Sequence, residues 1–147
     1  MKEFFDKISP SLKEEVTRFV FKECLEINKT FAMNENSQNF MIQVIQLIMS
    51  HPEEALIKEG ETTTEFYILA KGECECYVKD EITKLDVFVR TLEPGTYFGE
   101  IALLTGKERT ATIKTKNYST IGMISKERFN ELCLLFPEIK KNLTKDL

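Results

Sequence analysis

The sequence predicts a mainly β domain with helices on either side, built as an antiparallel sandwich, barrel or jelly roll. The apolar residues recur at helical spacing near both ends of the chain. Between Glu54 and Ile124 the spacing changes to two, in short β-branched or aromatic runs separated by turn signals. The 147 residues suffice for one ordinary core but not for two large ones. We therefore divide the chain into an N-terminal helical segment (1–50), a β-roll (51–124) and C-terminal helices (125–147).

The first helix is predicted to run from Ser9-Pro10, which is a helix-start signal, to about Asn28. The segment 30–39 contains the polar cluster NENSQN, which predicts a loop. A second apolar stripe then predicts another amphipathic helix, whose buried members would be Phe40, Met41, Val44, Ile45 and Ile48.

The middle of the chain contains the predicted strand segments ALIK (55–58), EFYILAKGECECYV (65–78), KLDVFVRTL (84–92), RTATIKT (109–115) and STIGMI (119–124). The turn signals EG, KG, PG, TG and KN lie between or within these segments. Many short strands at this spacing are typical of sandwiches, barrels and jelly rolls with antiparallel pairing. Ser125 is then the predicted cap of a helix, and Pro137 ends that helix and starts another.

Composition and charge argue against several classes of function. A net charge of -4 without a basic run does not favour a nucleic-acid partner. The N-terminus lacks the apolar core of a signal peptide, and the longest apolar segment, FMIQVIQLIM (40–49), is about half a membrane span. We therefore expect a cytoplasmic chain with reduced cysteines. We expect no metal site, because the CxC pair at Cys74 and Cys76 has no matching second pair.

The stretch FGEIALLTGKERTATI (98–113) combines an acid, a short apolar segment and a cation. EIALLTG is long enough for about one and a half helical turns closed by Gly106. A helix that begins after Gly99 presents free N–H groups at residues 100–102, which attract an anion together with the helix dipole. Arg109 opens the next strand and can bring its guanidinium back over the same spot, where a planar fork matches two phosphate oxygens. The stretch therefore predicts a phosphate site.

Glu100 would repel a phosphate unless the ligand also carries a hydroxyl next to that phosphate. The carboxylate would accept the hydroxyl hydrogen bond, while Arg109 balances both negative charges. These residues thus imply a sugar phosphate with a free hydroxyl. The alternative is a surface helix with an ordinary Arg–Glu ion pair, typically worth about 0–1 kcal/mol. Residue types and spacing leave both interpretations open.

The same stretch resembles the phosphate-binding cassette of cyclic-nucleotide-binding domains. The family pattern is FGE, two small or apolar residues, a Leu pair, a short turn and R-[TA]-A, and each element is present. EGETTTEFYILAKGECECYV (59–78) is similar to the family's second glycine-marked hairpin, and SKERFNELCLLFPEIKKNL (125–143) to its final helices. The resemblance covers about residues 54–143. It implies an antiparallel β jelly roll, a double-stranded β-helix of the cyclic-nucleotide-binding type.

The resemblance also implies which residues contact the phosphate. Arg109 would pair with the cyclic phosphate, and the N–H groups of Ile101, Ala102 and Ala111 would add donors. Thr110 would offer a hydroxyl near the phosphate and, for a guanine in the syn form, to its amino group. The expected ligand is cyclic AMP, by the family's general habit, with cyclic GMP left open. No cofactor is expected beside this ligand.

The sugar and the base have their own implied contacts. Glu100 would accept a hydrogen bond from the ribose 2′-hydroxyl, and Gly99 would leave room for the sugar. The purine would rest on a wall of strand residues, for which the candidates are Cys76, Arg90, Leu92 and Phe98. Arg90 stands where the family pattern leads us to expect an apolar residue.

The front of the chain resembles part of one subfamily. ISPSLKEEVTRFVFKECL (8–25) is similar to the helical linker that precedes the binding domain in cyclic-nucleotide-gated and hyperpolarisation-activated voltage-gated ion channels. This implies the C-terminal, cytoplasmic regulatory domain of a membrane channel, which transmits binding by movement of its flanking helices. The partner would be the rest of that channel, through which a homotetramer would form.

A second subfamily is the alternative, and the sequence departs from the family pattern at both ends. The front is shorter than a whole channel linker, which bears on assembly into a four-subunit ring. Kinase regulatory subunits would show an inhibitory Arg-Arg sequence and two tandem domains, which this sequence lacks, yet such a subunit or another sensor remains the alternative. The family uses a longer last helix as a lid over the purine, and we expect the residues after Pro137 to be only its root.

A metal-dependent enzyme of the cupin type is the alternative from a different class, since cupins share the double-stranded β-roll. Cupins need a cluster of His and carboxylate ligands that point into the barrel. His51 is the only histidine and precedes Pro52, so the sequence completes neither this cluster nor a Ser-His-Asp arrangement. We therefore expect no catalytic residues.

Overall fold

The computed structural model describes residues 7–32 and 34–145. Its helices are α1 (Pro10–Ile27), α2 (Lys29–Ala32), α3 (Glu35–Val44), α4 (Glu100–Thr105), α5 (Lys126–Leu135) and α6 (Pro137–Lys145). Its strands are β1 (Gln46–Ser50), β2 (Ala55–Ile57), β3 (Phe66–Lys71), β4 (Cys74–Lys79), β5 (Asp86–Leu92), β6 (Tyr97–Phe98), β7 (Thr112–Thr115) and β8 (Ser119–Ile124).

The front of the chain starts as predicted and then departs from the prediction. Ser9 caps α1, because its hydroxyl oxygen accepts a hydrogen bond from the Leu12 N–H at 3.2 Å. The predicted loop over 30–39 is wrong, since α2 and α3 occupy most of this segment. Asn34 explains the difference. Its side-chain oxygen accepts from the Asn36 N–H at 2.8 Å, so the polar cluster begins a helix.

The second apolar stripe is helical only as far as Val44. Ile45 has an extended backbone and Gln46–Ser50 forms β1, so the predicted helix through Ile48 is wrong. β1 pairs antiparallel with β8 over its whole length, and these ladder hydrogen bonds outweigh an apolar spacing that covers only two turns. The last five residues of the predicted N-terminal segment (1–50) therefore belong to the roll.

Two antiparallel sheets of four strands form the roll, with the orders β1-β8-β3-β6 and β2-β7-β4-β5. Side chains from both sheets meet in an inner cluster, which contains Ile57, Tyr67, Leu69, Cys74, Cys76, Leu92, Phe98, Ile113 and Ile121. The predicted fold class, mainly β with antiparallel pairing and flanking helices, is confirmed.

The helices cover the outer face of the first sheet. Phe66 and Ile68 point away from the inner cluster and join a helical cluster that includes Phe21 of α1 and Phe129 of α5. Gly122 of β8 makes close packing possible here, because a Cβ at that position would lie 2.7 Å from the Phe21 ring. β3 is therefore buried on both faces, between the inner cluster and the helices.

The C-terminal helices begin where the sequence predicts. Ser125 caps α5 by accepting a hydrogen bond from the Arg128 N–H at 3.3 Å, and Pro137 is the first residue of α6. Ile139 and Leu143 anchor α6 in the helical cluster. Within residues 7–32 and 34–145, none of the helices has the length and apolar character that crossing a membrane requires.

Candidate functional site

The short helix α4 begins and ends at glycines, as predicted. Gly99 precedes it with φ 92° and Gly106 follows it with φ 70°, both in the left-handed region that favours glycine. The Gly106 N–H donates to the Ala102 carbonyl at 2.9 Å and closes the helix. A Cβ at Gly99 would lie 2.7 Å from the Glu65 carbonyl oxygen and 3.1 Å from Arg109 Nη1. Glycine therefore lets the chain turn into α4 directly beside the guanidinium.

The backbone of Arg109 is paired with the loop that follows β2. The Arg109 N–H donates to the Glu61 carbonyl at 2.8 Å, and the Arg109 carbonyl accepts from the Gly60 N–H at 2.9 Å. β7 begins only at Thr112, so Arg109 lies just before this strand and does not open it as predicted. Only 4% of the Arg109 surface is exposed. The loop and the end of β6 thus enclose a cation.

Three protein oxygens hold the guanidinium. Nη1 donates to the Gly99 carbonyl at 2.8 Å, Nη2 donates to the Glu65 carbonyl at 2.8 Å, and Nε donates to the Thr63 hydroxyl at 3.0 Å. Each Nη of a guanidinium carries two N–H groups, so both have a second N–H that an anion can use. The carbonyl of Gly99, which accepts from Nη1, precedes α4, so the guanidinium lies beside the N-terminus of this helix.

Neutral hydrogen-bond acceptors around the Arg109 guanidinium leave it able to bind an anionic ligand, although carboxylates lie nearby. Burial lowers the pKa of the Arg109 guanidinium, while Tyr67, Glu65, Glu100 and Glu61 act in the opposite direction. The carboxylate oxygen Oε2 of Glu65 is 3.8 Å from Nη2, which is too far for a hydrogen bond. The three oxygens that accept from the guanidinium are neutral, and a buried cation in such a setting gains from an anion that it can hydrogen-bond.

The other residues predicted to contact the phosphate and sugar lie along the start of α4 and after Arg109. Glu100 is the first residue of α4, followed by Ile101 and the buried Ala102, and the first N–H groups of a helix have no acceptor within it. Ala111 is half-buried against the inner cluster, whereas Thr110 is exposed. Their contacts with a ligand stay predictions.

The predicted purine wall is split by the structure. Cys76, Leu92 and Phe98 lie together in the inner cluster and are almost fully buried. The ring of Phe98 is also stacked on Tyr67, with 5.2 Å between centroids and 14° between planes. Arg90 is exposed and stands opposite Cys76 in the β4–β5 ladder. A purine could therefore reach only the outer edge of the three buried side chains, and the wall stays a prediction.

Sequence reasoning missed the residues that hold the guanidinium in place. Thr63 and Glu65 precede β3, which pairs with β6 at Tyr67–Phe98. This pairing brings Thr63 and Glu65 close to the turn at Gly99. The signal for them was the run ETTTE (61–65), whose hydroxyl and acid side chains directly precede a buried strand.

A large cavity lies away from this site. It has a volume of about 1180 Å³ and lies between α1, the end of α3 and the strands β1 and β8, with Thr17, Met49 and His51 among its lining residues. The predicted site residues do not line it. We place the site by its chemistry, since the cassette combines a buried cation with a helix N-terminus. Within the described ranges no group of three or more His, Cys, Asp or Glu side chains could hold a metal ion.

Comparison with known proteins gives relatives of two kinds. The chain is 27% identical over 137 residues to potassium/sodium hyperpolarization-activated cyclic nucleotide-gated channel 1 of Homo sapiens, which covers 92% of this chain and 15% of the channel. It is 36% identical over 84 residues to the cAMP-dependent protein kinase regulatory subunit of Dictyostelium discoideum, which covers 54% of this chain and 25% of that subunit. The chain thus spans only a minor part of the length of either relative.

A solved structure has the same fold. The regulatory domain of Toxoplasma gondii PKA, crystallised with cAMP, superposes with a TM-score of 0.74 at 18% identity, covering 93% of this chain and 49% of that one. The family model described as "Cyclic nucleotide-binding domain" matches residues 49–135, which is more than half of the chain. The match begins within β1 and ends with α5, so it includes the roll, α4 and Arg109. The chain belongs to the family of cyclic nucleotide-binding domains.

Proposed function

We propose that the chain binds a 3′,5′-cyclic nucleotide at the cassette of residues 98–112 and senses it as the regulatory domain of a larger protein. One observation carries the proposal, namely that the Arg109 guanidinium is buried beside the N-terminus of α4 and hydrogen-bonded to neutral oxygens. A cyclic phosphate diester has a single negative charge, which one guanidinium and a few N–H donors can match. The proposed role is binding and not catalysis, and it needs no cofactor beside the nucleotide.

The cassette would divide the ligand between its two charged residues. Arg109 and the N–H groups of Ile101, Ala102 and Ala111 would take the phosphate, and Glu100 would accept the hydrogen bond of the ribose 2′-hydroxyl. Cyclic AMP is the preferred ligand and cyclic GMP the second candidate.

Binding can be transmitted through the packing of α4. Leu103 and Leu104 of α4 pack against the helical cluster that contains Phe129 of α5 and Phe21 of α1. A ligand at the start of α4 that prefers one arrangement of these helices would increase the population of that arrangement. The free energy available is the difference in affinity between the two arrangements, typically about 1–3 kcal/mol.

We further propose that the larger protein is an ion channel, with this domain on its cytoplasmic side. The support is that the sequence similarity to the channel extends over 92% of the chain and so includes the front helices, whereas the sequence match to the kinase subunit covers 54%. The fold does not separate the two, because the solved PKA regulatory domain covers 93% of the chain. A kinase regulatory subunit is the second candidate, supported by the higher identity of 36%. Sequencing the coding region on both sides separates them. Membrane-spanning helices upstream support the channel, and a tandem second domain with an Arg-Arg inhibitory sequence contradicts it.

Titration calorimetry with cyclic AMP and cyclic GMP tests the binding proposal. We expect Arg109→Ala to weaken binding by at least about tenfold, because the main partner of the phosphate is lost. The matched control is Arg128→Ala, which removes an exposed arginine that pairs with Glu131 on the surface of α5. Undiminished binding by Arg109→Ala, or an equal loss in both variants, would contradict the assignment.

A further inference from the structure

We infer that Thr63 is a positioning residue for the phosphate-binding guanidinium. It would hold Nε of Arg109 so that Nη1 and Nη2 face the ligand. This inference rests on the proposed function, because the guanidinium matters here as a phosphate ligand. It goes beyond that function by giving a role to a loop residue outside the cassette, 46 positions from Arg109 along the chain.

The geometry supports this role for Thr63. The guanidinium is planar, and its three nitrogens donate to three separate oxygens, from Thr63, Glu65 and Gly99. Two of these acceptors are main-chain carbonyls, which a substitution does not remove. The Thr63 hydroxyl is a side-chain acceptor, which a substitution can remove, and it holds Nε at 3.0 Å. Without it, the two Nη contacts and the packing around the buried side chain would have to set the rotation of the guanidinium.

The neighbouring carboxylate makes this orientation important. Oε2 of Glu65 forms an ion pair with Nη2 at 3.8 Å, and the side chain of Glu65 is 36% exposed, so a small movement would turn this ion pair into a charge-assisted hydrogen bond. Such a hydrogen bond would compete with the phosphate for the same N–H groups. By holding Nε, the Thr63 hydroxyl keeps the guanidinium between the two carbonyls and limits its approach to the carboxylate.

The loop that carries Thr63 is itself fixed to Arg109. Gly60 and Glu61, which lie three and two residues before the threonine, form backbone hydrogen bonds with the main chain of Arg109. These backbone hydrogen bonds therefore keep the Thr63 hydroxyl at a fixed place relative to Arg109. Threonine suits this task, because its branched Cβ restricts rotation about χ1 more than serine does.

The run Thr62-Thr63-Thr64 provides matched variants for the test. Thr63→Val removes the acceptor and keeps the shape, and Thr63→Ser restores the acceptor. Thr62→Val makes the same chemical change at the neighbouring threonine, which is exposed as Thr63 is. In calorimetry with cyclic AMP we expect Thr63→Val to weaken binding by about fivefold to tenfold and the other two variants to stay within about twofold.

Two further measurements distinguish positioning from general loss of structure. The two phosphorothioate diastereomers of cyclic AMP differ only in which exocyclic oxygen is replaced by sulfur, so a misdirected guanidinium changes the ratio of their affinities. We expect Thr63→Val to change this ratio and Thr62→Val to leave it unchanged. An unchanged ratio in Thr63→Val, with weaker binding and a lower Tm, would assign Thr63 a merely structural role and overturn the inference.

The last measurement needs no ligand. In the free protein we expect the Nε–H of Arg109 to exchange slowly with solvent by NMR, and Thr63→Val to accelerate that exchange by about tenfold or more. If the native chain binds no cyclic nucleotide, the proposed function fails, while this exchange still reports whether Thr63 holds Arg109. If the native chain binds and Thr63→Val neither weakens binding nor accelerates exchange, the inference fails alone.

Discussion

The two ends of the proposed ligand site are built differently. At the phosphate end, Arg109 is buried and held by three protein oxygens. At the base end, Arg90 is exposed on β5, which is the outermost strand of its sheet and carries the half-exposed Val87 and Phe88. The phosphate end is therefore fixed by hydrogen bonds within the protein, whereas Arg90, Val87 and Phe88 at the base end face solvent. Affinity should depend mainly on the phosphate end, and discrimination between bases mainly on groups that close over the ligand.

The strongest test of this contrast is Gly99→Ala. A Cβ at Gly99 would meet the Glu65 carbonyl oxygen at 2.7 Å and Arg109 Nη1 at 3.1 Å. The Glu65 carbonyl, which accepts from Nη2, must therefore shift, and we expect the guanidinium to shift with it. We expect cyclic AMP binding to weaken by more than about tenfold in calorimetry. The control is Gly106→Ala at the other end of α4, which has φ 70° but no atom within 4 Å of the added Cβ.

Both glycine variants place alanine in the left-handed region, which costs roughly 1–2 kcal/mol of stability. Only Gly99→Ala should lose affinity as well. If urea unfolding shows similar destabilisation and calorimetry shows a similar loss of affinity in both, the phosphate end is not as rigidly organised as the structure indicates.

The next effect concerns the sugar. We expect 2′-deoxy cyclic AMP to bind the native chain about tenfold more weakly than cyclic AMP, because Glu100 would lose the hydroxyl hydrogen bond. In Glu100→Ala the two ligands should bind alike. An equal difference between the ligands in both proteins would remove Glu100 from this role.

A smaller effect is expected at the base end. Arg90→Ala should change the affinity for cyclic AMP or cyclic GMP by less than about threefold, since solvent screens the exposed charge of Arg90. Arg109→Ala serves as the comparison in the same titrations. If Arg90→Ala lost as much affinity as Arg109→Ala, the base end would contribute as much to affinity as the phosphate end, which would contradict the difference between the two ends.

The last expected effect is on stability and not on affinity, and it is a pH dependence that comes from the Cys74 thiol in the inner cluster. Burial raises the pKa of the Cys74 thiol from 9.0 to about 11. The unfolded chain therefore loses this proton before the folded chain does, and the free energy of unfolding should fall as pH rises from about 9 to about 11. Urea unfolding at several pH values, with Cys74→Ala for comparison, measures this. A slope unchanged by Cys74→Ala would exclude the thiol as its source.

The parts of the fold that were predicted correctly depend on neighbouring residues. Ser9 and Ser125 cap helices through N–H groups three residues away, and the glycines around α4 are left-handed whatever lies elsewhere in the chain. Two of the errors arose where local signals compete. Asn34 can cap a helix as readily as it can form a turn, and the stripe through Ile48 became strand because β8 offers it an edge.

The candidate site shows the same division. Gly99, Glu100 and Arg109 are close in sequence, so the pattern FGEIALLTGKERTATI was enough to predict a short helix with a cation near its start. The sequence alone thereby specified the helix, its two glycine ends and the residues that would share the ligand. The tertiary structure decided how the cation is held, because Thr63 and Glu65 lie 46 and 44 residues away and reach Arg109 only through the loop after β2 and the pairing of β3 with β6. It also decided that Cys76, Leu92 and Phe98 are interior side chains, since burial depends on how two sheets pack and not on spacing along one strand.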